Sequence, residues 1–179
     1  MRINRYLSVL LAVVLIGGCA SSVERRDKGS AGSWVVPAGG VKASSVTIAL
    51  SQEAQKQHAE NKTFNPEQLL STIRSAMSTN GVLLKEPDAR LPWVEVLVKD
   101  IRVRSTFSAV MFGIMAGTDS LSGEVILHEP GGRELQRFTI SASYGLGGFA
   151  GGQDESRMTW LYDEFAKLTL AELMGQPKQ

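Results

Sequence analysis

Two stretches of alternating polarity joined by a tight turn constrain the fold most. Leu121, Gly123, Val125 and Leu127 alternate with Ser122, Glu124 and Ile126, and Phe138, Ile140, Ala142 and Tyr144 repeat the pattern further on. Side chains point to opposite faces along a strand, so each stretch reads as a strand with one inner face. Between them Glu129-Pro130-Gly131-Gly132 supplies a tight turn, which makes the pair antiparallel. Ahead of the pair Val94, Val96 and Val98 share a face, but Ile101 and Val103 have the opposite parity. A one-residue bulge near Lys99-Asp100 restores all five to one side. Residues 93–144 therefore read as a three-stranded antiparallel meander.

The flanking segments add helices and short strands. Val46, Ile48 and Leu50 alternate with Thr47 and Ala49 as a short strand, and the polar run from Ser51 to Asn61 reads as a loop or a frayed helix. Asn65-Pro66-Glu67-Gln68 places a capping residue, a proline at the first helical position and a glutamine at the third. Leu69, Leu70, Ile73, Ala76 and Met77 then recur at helical spacing until Asn80-Gly81 stops the helix. Val82-Leu83-Leu84 follows as a strand, and Pro87 and Pro92 bracket a turn region. A final helix is expected from about Asp154 to Met174, with Met158, Leu161, Phe165, Leu168 and Leu173 as its apolar stripe. The order predicts an α+β domain: one mixed, mainly antiparallel sheet of about five strands with two helices packed on it.

The first nineteen residues bear on location. Arg2 and Arg5 precede an apolar run from Leu7 to Ile16, and small residues lead to Cys19. That is the layout of a cleaved secretory signal. The run is about half of the ~20 residues a membrane-spanning helix needs. Ile16-Gly17-Gly18-Cys19 resembles the lipobox of bacterial lipoproteins, which implies cleavage after residue 18, a lipid on Cys19, and anchoring to a membrane through it. Ala20 follows the cysteine where aspartate would signal inner-membrane retention in enteric bacteria, so the resemblance implies the outer membrane, facing the periplasm. Residues 1–18 are thus expected as signal peptide, 19–44 as lipidated cysteine and flexible tether, and 45–176 as one domain. A fully flexible tether of this length would reach roughly 25 to 30 Å.

Removing residues 1–18 takes away two of the 19 Lys and Arg and none of the 18 Asp and Glu, leaving a net charge of −1. This balance offers no basic field for nucleic acid. Cys19 is the only cysteine, so there is no intrachain disulfide and no thiolate metal site beyond it. The core alone must hold the domain together, and a hydrophobic share of 43% suffices for one.

The run Gly123-Glu124-Val125, the turn Gly131-Gly132 followed by Leu135, the segment Gly147-Gly148-Phe149-Ala150-Gly151-Gly152, and Phe165-Ala166-Lys167 with Ala171-Glu172-Leu173 resemble bacterial lipoproteins grouped as domain of unknown function 4410. The likeness covers roughly residues 45 to 174. More distantly, the element order looks like the periplasmic domain shared by the curli-secretion lipoprotein and lipoproteins that activate cell-wall synthases. Neither likeness brings a catalytic residue.

Few stretches carry chemistry. Gly145-Leu146-Gly147-Gly148-Phe149-Ala150 fits the G-x-G-x-x-G/A pattern, but a dinucleotide site needs a further parallel strand bearing an acidic residue, and the chain ends first. His58 and His128 read as solvated surface residues, without a G-x-S-x-G elbow to nominate a nucleophile or a spacing that would build a metal site. No catalytic, cofactor or metal residue is therefore expected. The run from Phe107 to Ala116 is apolar at eight of ten positions and joins two strands. It reads either as core or as an adaptable exposed loop in which Met111, Phe112, Ile114 and Met115 contact a protein partner or lipid. The expectation is a non-enzymatic accessory or binding module for an envelope assembly, with an envelope protein as partner. An oligomeric secretion-channel component is the second reading and a lipid-tethered periplasmic enzyme the third.

Overall fold

A computed structural model describes residues 20–25, 36–104, 117–145 and 154–175. Among the described residues eight elements follow one another: β1 (Ala20–Arg25), β2 (Val46–Leu50), α1 (Gln52–Glu60), α2 (Pro66–Thr79), β3 (Trp93–Arg102), β4 (Asp119–His128), β5 (Glu134–Tyr144) and α3 (Asp154–Leu173). One five-stranded sheet has the order β1-β5-β4-β3-β2, antiparallel throughout except for the parallel β2–β3 pair. The α1–α2 crossover makes that parallel pairing. The fold is α+β with a mixed, mainly antiparallel sheet, as expected, but the described residues carry three helices where two were expected.

The meander forms as its alternation dictates. Val94, Val96, Val98 and Ile101 of β3, Leu121, Val125 and Leu127 of β4, and Phe138, Ile140 and Ala142 of β5 join one buried cluster with Leu69, Ile73 and Met77 of α2 and Met158, Leu161, Phe165 and Leu173 of α3. The register of β3 against β4 shifts between Val98 and Asp100, at the bulge the parity change requires. Helix α1 satisfies the groups that the bulge leaves over. Ser51 Oγ donates to Lys99 O at 3.1 Å, Gln57 Nε2 donates to Asp100 Oδ1 at 2.7 Å, and Gln57 Oε1 accepts from Ile101 N at 2.7 Å. The β4–β5 turn closes with Gly132 N donating to Glu129 O at 2.9 Å, Gly132 standing at φ 84°.

Three expectations change. Residues 82–84 make a single parallel bridge, Ala43 to Leu83, rather than a strand. The N–H groups of Val82 and Leu83 are spent on Met77 O, at 2.8 and 3.1 Å, closing the C-terminus of α2. The fifth strand is instead β1, in residues assigned to the tether, where Val23 packs against the core at the sheet edge. The other end of that tether is also folded: Val41 and Ala43 are buried, and Val41 N donates to Leu173 O at 2.8 Å. Of the two readings of the run from Ser51 to Asn61, loop or frayed helix, the helix holds: it is α1, capped by Ser51 Oγ accepting from Ala54 N at 3.2 Å.

Candidate functional site

The most concentrated polar chemistry lies where β1 begins. Ala20 pairs with Ser143, Asp119 with Tyr144 and Ser120 with Arg102, so the starts of β1 and β4 and the ends of β3 and β5 meet at one end of the sheet. There the buried Asp119 accepts from Arg104 N on Oδ1 at 2.7 Å. Its Oδ2 pairs with Arg104 Nη2 and with Arg157 Nε, both at 2.9 Å. Arg157, in the first turn of α3, donates through Nη2 to Arg104 O at 3.1 Å and to Asp154 Oδ1 at 2.6 Å. Arg104 Nη1 donates to Gly117 O at 2.7 Å and its Nη2 reaches Tyr144 O at 3.4 Å.

Burying a guanidinium costs several kcal/mol unless a well-placed carboxylate compensates, and here one buried aspartate serves two. The three side chains form one buried cluster. Its effect is mechanical: it clasps Arg104, Gly117 and Asp154, which adjoin residues 105–116 and 146–153, together with Tyr144, one residue short of Gly145. Arg157 Nη1 finds no hydrogen-bond acceptor among the described residues.

The opposite end carries a second constellation. His128 stacks on Trp93 with ring centroids 4.1 Å apart and an interplanar angle of 14°. Its Nε2 lies 3.0 Å from Glu95 Oε2 and its Nδ1 3.3 Å from Gly132 O. Expected to be solvated, His128 is instead largely covered, its side chain only 13% exposed. His58 is likewise half-buried, edge-on to Phe64 at 5.9 Å. Beside the histidine corner Arg137 bridges Glu124 and Glu134 across the sheet face turned away from the core, and this pairing raises its pKa above the usual arginine value.

Two concavities lie on the described surface. An open groove of about 510 Å³ runs between α2 and α3, bounded by Ser71, Ser75, Asp163 and Lys167 among others. A smaller hollow of about 190 Å³ lies among Gln57, Asn61, Arg102 and Val103. Among the described residues no group of three or more His, Cys, Asp or Glu could hold a metal ion. Behind α2, Tyr162 OH accepts from Asn65 N at 2.7 Å, and burial pushes the phenol up to about 12.

Cys19 and the candidate contact residues Met111, Phe112, Ile114 and Met115 lie outside the described residues, as does the glycine-rich stretch after Gly145. The described residues on either side of the apolar run are Arg104 and Gly117. The Arg104–Asp119–Arg157 clasp escaped the sequence reading because its members are scattered. A lone Asp opening an alternating strand was the one visible hint.

A five-stranded sheet with its helices on one face, clasped at one end by buried charge, defines the class of domain. The chain belongs to the family described as domain of unknown function (DUF4410), whose profile matches residues 21–148. That match starts inside β1, so the first strand is part of the family's domain. No curated protein matches the chain in sequence. Among solved structures, a leucine-to-methionine variant of the PelC dodecamer from Paraburkholderia phytofirmans is similar at 13% identity and a TM-score of 0.52, covering 88% of this chain and 100% of that one. Another PelC dodecamer structure from the same organism aligns at 14% identity and a TM-score of 0.47, covering 87% and 99%.

Proposed function

We propose that this chain is an outer-membrane lipoprotein, anchored through Cys19 and facing the periplasm, whose domain is a non-enzymatic accessory module of an envelope assembly. The observation that carries this reading is the lipobox-like Ile16-Gly17-Gly18-Cys19 set directly before a domain with the fold of a PelC subunit. The clasp at Asp119 is consistent with it, since its charges are spent on holding the fold rather than turned toward a substrate. Met111, Phe112, Ile114 and Met115 are the proposed contacts to the envelope partner, on a stretch whose two ends the clasp fixes.

A second reading, an oligomeric secretion-channel component, is favoured by one observation: the similar PelC variant structure is a dodecamer. Size measurement of the lipoprotein in mild detergent separates the two. A particle the size of one or two chains fits an accessory module, whereas a ring many times larger fits a channel component.

The anchor is tested by Cys19→Ala, which should abolish the lipid mass and release the protein into the soluble fraction. Continued fractionation with membranes would sink the anchoring claim. The contact residues are tested by replacing Met111, Phe112 and Met115 together by Ser. Loss of a crosslinked partner with unchanged melting supports a docking role, while severe loss of thermal stability assigns the run to the core.

A further inference from the structure

The register of β1 fixes more than the sheet order. Ala20 is already paired, opposite Ser143, and Ser143 Oγ donates to Ala20 O at 3.1 Å. Cys19 is the next residue along the chain, and adjacent Cα atoms lie only about 3.8 Å apart. A lipid on Cys19 would therefore be bonded to the sheet itself, with no slack between anchor and fold. We propose that the domain stands on the bilayer by the end of the sheet formed by Ala20, Arg102, Asp119 and Tyr144, with its strands directed away from the membrane. This rests on the lipoprotein reading above and deepens it.

Three further observations favour that end over a side of the domain. Both ends of the stretch that holds the apolar run 107–116, Arg104 and Gly117, are clasped there, so the most apolar sequence of the mature chain is tethered at the same place. Arg102 is exposed and extends to Gly117, where a Cβ would lie 3.0 Å from its Nη2, so a cation stands at the level where headgroup phosphates would lie. Lying flat is disfavoured by the broad faces. The sheet face away from the core carries Glu24, Glu95, Glu124 and Arg137, and the helical face carries Asp163 and Lys167. Setting either against lipid would strip water from these charged groups, which costs free energy even where they are paired. The opposite end, with Trp93, His128 and the Glu129–Gly132 turn, then projects furthest into the periplasm. Strand β4 holds ten residues, so the two ends are separated by about 30 Å at 3.4 Å per residue.

The experiment uses the full lipidated protein in vesicles of phosphatidylethanolamine and phosphatidylglycerol containing a headgroup nitroxide lipid. The lipid consumes Cys19, so a single introduced cysteine takes the fluorophore cleanly. Thr118→Cys marks the proposed membrane end and Arg133→Cys the far turn, both at exposed positions. The nitroxide should quench the label at 118 several-fold more strongly than the label at 133. A second pair, Lys62→Cys and Gly131→Cys, repeats the comparison if either first variant fails to fold; Lys62 adjoins Asn61, whose Nδ2 donates to Val103 O. Equal quenching at both ends, or none at either, on protein whose lipid mass is confirmed overturns the orientation and leaves the anchor standing. Absence of the lipid mass overturns both.

Discussion

Phe165 of α3 lies against Gly123 of β4 so closely that a Cβ on the glycine would meet Phe165 Cζ at 3.3 Å and Leu97 O of the neighbouring strand at 3.0 Å. The glycine is therefore a seat for the aromatic ring, which is fully buried. Gly123→Ala should cost about 1 to 3 kcal/mol, because the added methyl overpacks against both the buried ring and the carbonyl of a paired strand. Phe165→Ala should cost about 3 to 5 kcal/mol through the cavity it leaves. In the double variant the added methyl no longer meets the ring, so its loss should fall below the sum of the two. Urea unfolding of the four proteins measures this, and strict additivity would show that the two residues do not share a site.

The clasp gives a sharper contrast between two aspartates. Asp119 is buried and faces both Arg104 and Arg157, whereas the side chain of Asp154 is 33% exposed. Asp119→Asn removes the one buried carboxylate that faces both guanidinium groups and should cost about 3 to 5 kcal/mol. Asp154→Asn weakens a pair that water reaches and should cost no more than about 1 kcal/mol. Equal losses in denaturant titrations would mean that Asp119 is not the centre of the cluster.

What the sequence made legible follows from how many residues announce each element. Helix α2 was readable because Asn65, Pro66 and the Leu69–Ile73–Met77 spacing agree, and Asn65 Oδ1 does accept from Gln68 N at 3.0 Å. The bulge was readable because five apolar residues change parity around it. Strand β1 offers one apolar residue, Val23, on an edge where one face of one strand is all that needs burial. Helix α1 buries only Ala54, so no period could show, and its task of satisfying the bulge falls to Gln57, a residue without a sequence signature. Residues 82–84 misled because an apolar triplet looks alike whether its N–H groups enter a ladder or close a helix. The Asp119 clasp unites positions distant in sequence, and no local pattern encodes such a meeting.

The edge strand makes its own prediction. If residues 20–25 were tether, removing them would leave stability unchanged. As β1 they cover β5 and seat Val23 on the core, so a soluble chain beginning after Arg25 should be less stable than one beginning at Ala20. Loss of part of one valine's burial and of an edge ladder places the difference at about 1 to 2 kcal/mol. Hydrogen exchange should also rise along Phe138 to Ser143, which would become the new edge. Matching melting curves for the two chains would return these residues to the tether.

Tyr162 provides the pH dependence. Its hydroxyl accepts from Asn65 N, and burial pushes its pKa up to about 12, above the ordinary phenol value of 10.0. Between those values the unfolded chain has released the phenolic proton while the folded chain retains it, so the folded state binds more protons and stability falls as pH rises. The contribution is fully present below pH 10 and is lost as pH passes toward about 12. Tyr162→Phe removes the titrating group. At neutral pH the variant should be less stable than the parent by about 1 kcal/mol, the worth of one accepted hydrogen bond. Other groups titrate in the same alkaline range, but they do so in both proteins, so the quantity to follow is the stability difference between them. That difference should shrink, and then reverse, as pH rises from 10 toward 12. A gap that stays constant across the range would show that the phenol ionises as freely in the fold as in the unfolded chain, and that the α2–α3 interface around Asn65 is open to water.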